Sequence, residues 1–431
     1  MADASGTRRR RPARDGEPEV RPDAWRRLVA CTGAAALLQI DGTLITVALP
    51  EVGRSLELAA GPLAAVLTAY FAAYALALFP GGGLVDRLGS RRLALAGLGV
   101  FGLGAAAGAL APSFEVLLAS RIVQGAGAGL VSPAALAGAV SAFPPDRRGV
   151  ALGIWGAGSG IANLLGPLLG GVLTVLLGWR ADWWALVPLS ILAAAAIWVV
   201  LPSGVRVDES PELGGLRQRP VAAAALVATL TFTVLIGTFF LAQQYLQEAG
   251  GMSPLGAGAT LVFVAVLVAG AAPLAGRLAD AYGERPPAVG GFAAAGLGLA
   301  LLGVGAVPLA GAAALPLLGL VGLGLGLLFA PTSRAALNAV SESRHGRVSS
   351  VLSFGRLVGA GVGAALAGAA LASGVTSGNV RAALIGGAAL CLLIGLPAAL
   401  GLGSPSRRPG DARAGDGGVA LRARGGLGAP P

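Results

Sequence analysis

Twelve long apolar stretches divide this chain of 431 residues, and they leave little room for a water-soluble fold. An α-helix needs roughly 20 apolar residues to cross a hydrocarbon core of about 30 Å. Only 12% of the residues are charged, whereas soluble domains carry roughly 25%. We therefore predict twelve membrane-spanning helices, at 25–50, 61–82, 93–111, 114–143, 149–178, 183–201, 220–246, 254–274, 287–307, 310–331, 348–372 and 380–402.

The charges predict how these helices are oriented. All 31 cationic residues are arginine. With a cytoplasmic N-terminus, about 26 arginines fall in inner tails and loops and about three, Arg54, Arg180 and Arg381, in outer loops. This bias predicts a multi-pass membrane protein with both termini cytoplasmic, and it explains the net charge of +10 without a nucleic-acid partner. The composition, with arginine as the sole cationic residue type and much Ala and Gly, is typical of a GC-rich bacterial genome, so we expect a bacterial plasma membrane.

Composition also predicts the domain boundaries. Residues 1–23 and 403–431 are rich in Arg, Gly and Pro and have little to bury, so we expect disordered cytoplasmic tails. The polar stretch 202–219 is the long interior break, which predicts a cytoplasmic linker between two six-helix bundles, 24–201 and 220–402.

Missing residue types exclude several functions. Without lysine the chain has no Walker phosphate-binding motif, which argues against ATP hydrolysis. One histidine, His345, and two distant cysteines, Cys31 and Cys391, cannot build a metal site or a disulfide framework. With no visible nucleophile either, we expect no cofactor, no metal and no enzyme activity.

A charged loop occurs twice, once in each half. GGGLVDRLGSRR follows the second apolar stretch, and LAGRLADAYGERP follows the eighth. The fifth and eleventh stretches also match, each with small residues four apart, Gly156 with Gly160 and Gly355 with Gly359, which let helices approach closely in lipid. Because an even number of spans separates the copies, the halves are parallel repeats about an axis along the membrane normal.

Four motifs of the first half, in order, resemble the major facilitator superfamily and, within it, the drug:proton antiporters. The loop after the second span is similar to the signature GxLaDrxGrr, and LLASRIVQGAGAG in span four resembles lxxxRxxqGxgaa. GPLLGG in span five resembles the antiporter motif gxxxGPxxGG, and DGTLITVALPEV in span one is similar to LDxTIVNVALPxI. The span-one motif is typical of a fourteen-span multidrug efflux subgroup. Here the linker leads directly into a span that carries FFLAQQYLQ and resembles a later segment of that subgroup, so we expect twelve spans without the extra central pair.

The resemblance implies an all-α membrane protein of two six-helix bundles related by pseudo-two-fold symmetry. It also implies a secondary transporter, and we predict a proton-coupled antiporter that exports small amphipathic compounds, as in multidrug efflux. A metabolite or natural-product carrier, either exporter or proton symporter, is the alternative, and a non-transporting membrane sensor is the second. We expect a monomer whose partners are its substrate, protons and the lipid bilayer.

Asp41 is the first candidate for proton coupling. A carboxylate inside the membrane faces a cavity, pairs with a cation or titrates. From helical rise, Asp41 lies about 20 Å from the inner surface and Arg121 about 10 Å from the outer one, so their depths coincide in a core of roughly 30 Å. We therefore predict that Asp41 exchanges the proton, with Arg121 and Gln124 setting its affinity; a permanent ion pair that only joins two helices is the alternative.

The charged loops predict a conformational latch that holds the outward-facing state. Glycine permits a tight turn there, and a carboxylate can accept hydrogen bonds from a helix N-terminus or a facing arginine. A merely solvated loop is the alternative. The latch residues are Gly82, Asp86, Arg87, Gly89, Arg91 and Arg92 in the first half and Arg277 and Asp280 in the second.

Two further groups complete the predicted site. The antiporter motif of span five contains a helix-bending proline. It either seals the two halves against proton leak or serves only in helix packing. Its residues are Gly166, Pro167, Gly170 and Gly171. Aromatic and amide side chains suit amphipathic substrates, although most aromatics in spans pack or face lipid. The predicted cavity residues are Tyr70, Tyr74, Trp155, Asn163, Phe232, Gln243, Gln244 and Tyr245.

Arg356 has no carboxylate at its predicted depth in the second half. Either it bonds backbone carbonyls, or it leaves the cavity net positive and favours anionic or neutral substrates over dications.

Overall fold

The computed structural model describes residues 22–144, 148–203, 218–305, 308–340 and 345–403. The predicted tails and the linker fall almost wholly outside these ranges. Within them the secondary structure is helical, and no strand occurs in the described residues. Mean hydropathy is +0.77 over the chain, so the helices present apolar surface to their surroundings as well as to each other.

Six helices form the first half. The second half also has six rods, by which we mean membrane-length helical segments, two of which include a π-helical stretch. The first half contains α1 (Ala24–Ser55), α2 (Ala60–Leu88), α3 (Ser90–Ala109), α4 (Phe114–Val140), α5 (Arg148–Leu177) and α6 (Arg180–Val200). The second half contains α7 (Arg219–Gln244) with a π-helical turn Tyr245–Ala249, α8 (Pro254–Tyr282), α9 (Arg285–Gly303), α10 (Leu315–Asn338), α11 (His345–Ala370) and α12 (Ser377–Ala389). The last rod continues through a π-helical stretch, Leu390–Gly395, into α13 (Leu396–Leu400).

These helices fit a bilayer. In the described part of the chain, eleven are long and apolar enough to cross it. The remaining helix, α5, has 30 residues and contains the shorter apolar stretch Ile161–Leu177. With twelve rods, the start of α1 and the end of α13 lie at one face of the membrane. We call this face the proximal end and the opposite one the distal end.

Helix packing repeats between the halves. In the first half α2 packs on α4, α3 on α4 and α6, and α1 on α5. In the second half, with every number raised by six, α8 packs on α10, α9 on α10 and α12, and α7 on α11. The halves meet along two seams, α2 with α11 and α5 with α8, which exchange under the same two-fold operation.

The charged loops are shorter than the sequence predicted. Helices α2 and α8 were expected to end at 82 and 274, but they continue to Leu88 and Tyr282. Gly82 therefore lies inside a helix and makes no turn, which corrects its predicted role. The turns are at Gly89 and Gly283, with φ of 82° and 84°. A helix can project past the bilayer because it satisfies its own backbone hydrogen bonds.

Helix α1 likewise continues beyond its predicted end at Pro50. It extends one more turn, to Ser55, with the proline inside it. A proline removes one backbone hydrogen bond, and packing against neighbouring helices can offset this loss. Both Pro50 and the preceding Leu49 are buried.

Glycine sets the closest approach between α7 and α11. A side chain at Gly359 would overlap the carbonyl oxygen of Thr229 on α7, and one at Gly355 would lie 3.0 Å from the carbonyl oxygen of Ala225. The matching predicted pair, Gly156 and Gly160 of α5, lies outside the residues whose surroundings the structure describes.

We predict that Gly359→Leu destabilises the protein by about 1–3 kcal/mol, because an added side chain must separate α7 from α11. The measurement is the unfolding midpoint of the purified protein in detergent, followed by circular dichroism. Gly99→Leu is the control, since a side chain at this exposed position on α3 would meet nothing within 4 Å. Equal midpoints for the two variants would contradict close packing at Gly359.

Candidate functional site

The structure brings Asp41 of α1 and Arg121 of α4 together in the interior of the first half. Arg121 Nη1 donates to both carboxylate oxygens of Asp41, at 2.8 and 3.0 Å. Both side chains are fully buried. Such a pair is expensive to remove from water, and loss of one partner leaves an uncompensated charge in an apolar interior.

Gln124 and the backbone of α2 complete the surroundings of the guanidinium. Arg121 Nη1 also donates to Gln124 Oε1 at 2.9 Å, and Arg121 Nε donates to the carbonyl oxygen of Val66 at 3.3 Å. Two donors in this network, Arg121 Nη2 and Gln124 Nε2, are buried without a hydrogen-bond partner. Unpaired buried donors are uncommon in proteins and mark positions where a water molecule or a ligand can bind.

Tyr70 covers the ion pair from α2. Its ring centroid lies 4.2 Å from the guanidinium carbon of Arg121, and its hydroxyl donates to the carbonyl oxygen of Leu38 at 3.0 Å. The ring is fully buried and packs edge-on against Tyr74 at 5.9 Å. Both tyrosines were predicted to line the substrate cavity; here Tyr70 shields the ion pair, and Tyr74 is 6% exposed.

The antiporter motif of α5 faces two directions. A side chain at Gly166 would overlap Thr43 of α1, and one at Gly170 would lie 2.5 Å from the carbonyl oxygen of Leu44. Gly171 faces the other half, where an added Cβ would lie 3.1 Å from the backbone of Leu255. The motif thus connects the segment that carries Asp41 to the seam between α5 and α8.

Pro167 belongs to the same seam. A side chain at Gly258 of α8 would lie 2.8 Å from the carbonyl oxygen of Pro167. Because proline has no backbone N–H, α5 also lacks one internal hydrogen bond at this position.

Contacts between the halves continue to the distal end of the other seam. Thr68 donates its hydroxyl hydrogen to the carbonyl oxygen of Gly361 at 3.4 Å. Nearer the distal surface, Gly61 of α2 packs against the backbone of Gly368 and Ala372. On the proximal side the seam still includes Phe79 and Phe354, whose ring centroids are 4.6 Å apart.

The predicted latch of the first half is exposed at the proximal end. Asp86, Arg87 and Arg92 are exposed, and among the described residues Asp86 has no ion-pair partner. Arg91 lies over the ring of Trp198, with its guanidinium carbon 4.1 Å from the ring centroid. The structure therefore does not hold Asp86 against the second half.

In the second half the corresponding carboxylate is paired. Asp280 of α8 forms an ion pair with Arg334 of α10, and Arg334 Nε also lies 3.9 Å from Glu284. Asn338 donates to Glu284 at 3.1 Å. Arg277, which was predicted to share the latch, is exposed and takes no part in this group.

Three glutamines of α7 and its π-helical turn form a buried amide cluster beside α1. Gln247 Nε2 donates to Gln243 Oε1 at 2.8 Å and to the carbonyl oxygen of Val47 at 3.0 Å. Gln243 and Gln244 are fully buried, yet Gln243 Nε2, both amide atoms of Gln244 and Gln247 Oε1 have no partner. The amide cluster thus joins the halves on the distal side and retains unused hydrogen-bonding capacity.

The remaining predicted cavity residues do not form one group. Tyr245 faces away from the amide cluster, into a cavity of about 30 Å³ within the second half. Trp155 and Asn163 of α5 are partly exposed.

Arg356 and Phe232 meet in the second half. Arg356 Nη2 donates to Ser333 Oγ at 3.3 Å, and its guanidinium carbon lies 5.9 Å from the ring centroid of Phe232. No carboxylate among the described residues forms an ion pair with Arg356. Its contact with a serine hydroxyl differs from the predicted contact with backbone carbonyls, and no described carboxylate compensates its charge.

The sequence reasoning missed two polar groups. Gln247 was overlooked although it stands four residues after Gln243, which places both on one helix face. Asp182 of α6 was also overlooked; it is fully buried and accepts a hydrogen bond from Thr174 Oγ1 at 2.7 Å. The described residues contain no group of three or more His, Cys, Asp or Glu side chains arranged to hold a metal ion.

The chain is similar to known antibiotic-resistance proteins along most of its length. It is 28% identical over 407 residues to multidrug resistance protein Stp of Mycobacterium tuberculosis (strain CDC 1551 / Oshkosh), covering 80% of this chain and 75% of the relative. It is 30% identical over 410 residues to puromycin resistance protein pur8 of Streptomyces alboniger, covering 80% and 81%.

The fold is shared with a solved transporter structure. A bacterial homolog to the human lysosomal transporter Spinster, in an inward-facing and occupied conformation, superposes with a TM-score of 0.75 at 18% identity, covering 88% of this chain and 98% of that one. The model of the Major Facilitator Superfamily matches residues 31–364 and 224–429. With its helices paired in two repeated halves, the chain belongs to the Major Facilitator Superfamily.

Proposed function

We propose that the protein is a proton-coupled antiporter that exports small amphipathic compounds across a bacterial plasma membrane by alternating access. The buried ion pair between Asp41 and Arg121 is the observation that carries this proposal. The names of the two relatives, which refer to multidrug and puromycin resistance, support the substrate class.

Asp41 has the properties of a proton carrier. A carboxylate only accepts hydrogen bonds, whereas a carboxylic acid also donates one and has lost its attraction for a guanidinium. Protonation of Asp41 therefore frees Arg121, whose Nη2 is already unpaired. Rearrangement of this pair is the step that couples a bound proton to the position of α1.

Helix α1 can transmit that step to the seams between the halves. Its segment 40–44 packs directly on Gly166 and Gly170 of α5, and α5 forms one seam with α8. Three residues further along α1, the carbonyl oxygen of Val47 accepts the hydrogen bond from Gln247 in the other half. A shift of α1 on protonation would reach both contacts.

The latch proposal is supported by the difference between the two ends. Hydrogen bonds between the halves join Thr68 to Gly361 and Gln247 to Val47 on the distal side. On the proximal side the halves still meet at Phe79 and Phe354, but Asp86 is exposed. We therefore infer that Asp86 engages the second half only after the distal seam opens, and so stabilises the outward-facing state.

The charge of Arg356, which forms no ion pair with a described carboxylate, bears on substrate charge. When Asp41 and Arg121 neutralise each other, Arg356 would leave the cavity net positive. This favours anionic or neutral amphiphiles over divalent cations. A metabolite exporter of the same substrate charge remains the competing function, and its range of substrates would be narrower.

The first test is proton release from energised inside-out vesicles when anionic, neutral, monocationic and dicationic amphiphiles are added. We expect release with anionic or neutral compounds for the wild-type protein, and for Asp41→Asn only the signal of vesicles without transporter. Asp23→Asn is the matched control, because Asp23 pairs with Arg27 and is 44% exposed at the proximal end. Full release with Asp41→Asn, or a preference for dications, would contradict the proposal.

A second test separates a proton carrier from a permanent ion pair. Arg121→Gln should lower the free energy of unfolding by about 3–5 kcal/mol, because Asp41 is left charged and buried. Asp41→Asn leaves Arg121 without its counter-ion, but its amide oxygen can still accept a hydrogen bond from the guanidinium. A proton carrier must also tolerate a neutral group at this position during the transport cycle, so we expect a smaller loss for this variant. Unfolding of both variants and the double variant in detergent provides the comparison, and an equal loss from either single change would indicate a structural pair only.

A third test concerns the latch. Asp86→Asn should slow substrate turnover about tenfold, equivalent to about 1.4 kcal/mol in the activation free energy, while substrate affinity stays the same. Transport rates and binding are measured on the same reconstituted protein. Glu115→Gln, an exposed carboxylate in the first turn of α4, is the control. A change in affinity with unaltered turnover would rule out a latch.

A further inference from the structure

A cavity of about 380 Å³ lies within the second half, away from the Asp41 and Arg121 pair. It is bordered by α7, α9, α11 and α12. This volume is within the range of roughly 300–1,000 Å³ that is usual for sites of small molecules. Nothing in the proposed transport cycle uses this space.

The cavity is an elongated slot along the helix axes. Its walls are residues 233–241 of α7, 363–370 of α11 and 383–390 of the last rod, where α12 passes into its π-helical stretch. At 1.5 Å rise per residue, each helix lines the slot over about 10–12 Å. Since these helices cross the bilayer, the slot lies parallel to the lipid chains, in the distal part of the membrane.

The slot opens toward lipid between α11 and α12. These two helices pack mainly on α7 and α9 rather than on one another. Leu366 of α11, which lines the slot on this side, is 52% exposed. Gly386 of α12 faces open space, because an added Cβ there would meet nothing within 4 Å.

The walls are suited to a hydrocarbon chain. The lining is almost entirely Leu, Val, Ala and Gly, and the hydroxyl of Thr233 is already bonded to the carbonyl oxygen of Thr229 at 2.9 Å. In the first half the corresponding helix, α6, carries the large buried side chains Trp183 and Leu186. Helix α12 has small residues in the slot, and an unfilled slot would lose van der Waals contacts on every wall.

A cation stands at the distal end of the slot. Arg381 precedes the lining residue Ala383 on α12, and helical side chains tilt toward the N-terminus, which for α12 is the distal surface. Its guanidinium lies against Gly305 at the end of α9. Arg381 Nε is buried without a hydrogen-bond partner, and no described carboxylate forms an ion pair with the guanidinium.

We propose that the slot and Arg381 together bind one phospholipid of the distal leaflet, with an acyl chain in the slot and the phosphate beside the guanidinium. Arginine presents a planar fork of N–H donors that matches phosphate oxygens. The lipid chain restores the packing that α12 lacks against α7 and α11. This site is independent of the proton-coupled reaction.

The test is photochemical capture of lipid by the full chain in vesicles of phosphatidylcholine and phosphatidylglycerol that carry a diazirine on an acyl chain. After irradiation, labelled peptides are located by mass spectrometry. We expect labels concentrated on the lining segments of α11 and α12. Labels distributed equally over the lipid-facing sides of α3 and α6 would overturn the proposal.

Two variants test the parts of the site separately. Gly386→Leu adds a side chain at a lining position where a Cβ would meet nothing within 4 Å. It should reduce labelling of these segments about tenfold, a change of about 1.4 kcal/mol in binding free energy. Gly290→Leu is the control, because it places leucine at an exposed, unobstructed glycine of α9. Unchanged labelling in Gly386→Leu would overturn the proposal.

Arg381→Gln should weaken capture of the phospholipid but not of a diacylglycerol with the same diazirine chain, because the diacylglycerol has no phosphate. Arg381→Lys keeps the positive charge and should retain part of the phospholipid capture. Equal loss for both lipids would exclude the phosphate contact. Unfolding midpoints of all variants establish that each one is folded.

Discussion

The ion pair between Asp41 and Arg121 is the interaction on which the first half depends. It joins α1 to α4, and the guanidinium also reaches the backbone of α2 through Val66. Three helices therefore converge on one charged group in an apolar interior. This network is stabilised while both charges are present, and protonation of Asp41 leaves the buried guanidinium without its counter-ion, so that a proton has a large effect on how these helices pack.

Small residues determine where that effect can travel. Gly166 and Gly170 bring the backbone of α5 against α1, and Gly171 brings it against α8. Larger side chains would separate these helices. When α1 moved, such side chains could change rotamer while α5 stayed in place. Close backbone contact instead makes the helices move together, which connects the chemistry at Asp41 to the boundary between the halves.

The sequence predicted the number of helices, their division into halves and the motifs of the first half, because spanning length and repeated motifs are local properties of the chain. It could also place Asp41 and Arg121 at one depth from helical rise alone. It could not show that Gln247 reaches Val47, which are 200 residues apart. It misplaced the ends of α2 and α8, since hydropathy reports where the bilayer ends and not where backbone hydrogen bonding ends.

Near the distal end, the two seams between the halves are formed largely by backbone atoms. Gly61 meets Gly368 and Ala372 there, and Gly258 meets the carbonyl group of Pro167. Backbone surfaces have no rotamers to immobilise, so closing and opening such a seam involves little side-chain entropy. The balance between the two conformations then depends on a few polar contacts, such as the hydrogen bond from Gln247 to the carbonyl oxygen of Val47. Substitution of one such glutamine would shift that balance.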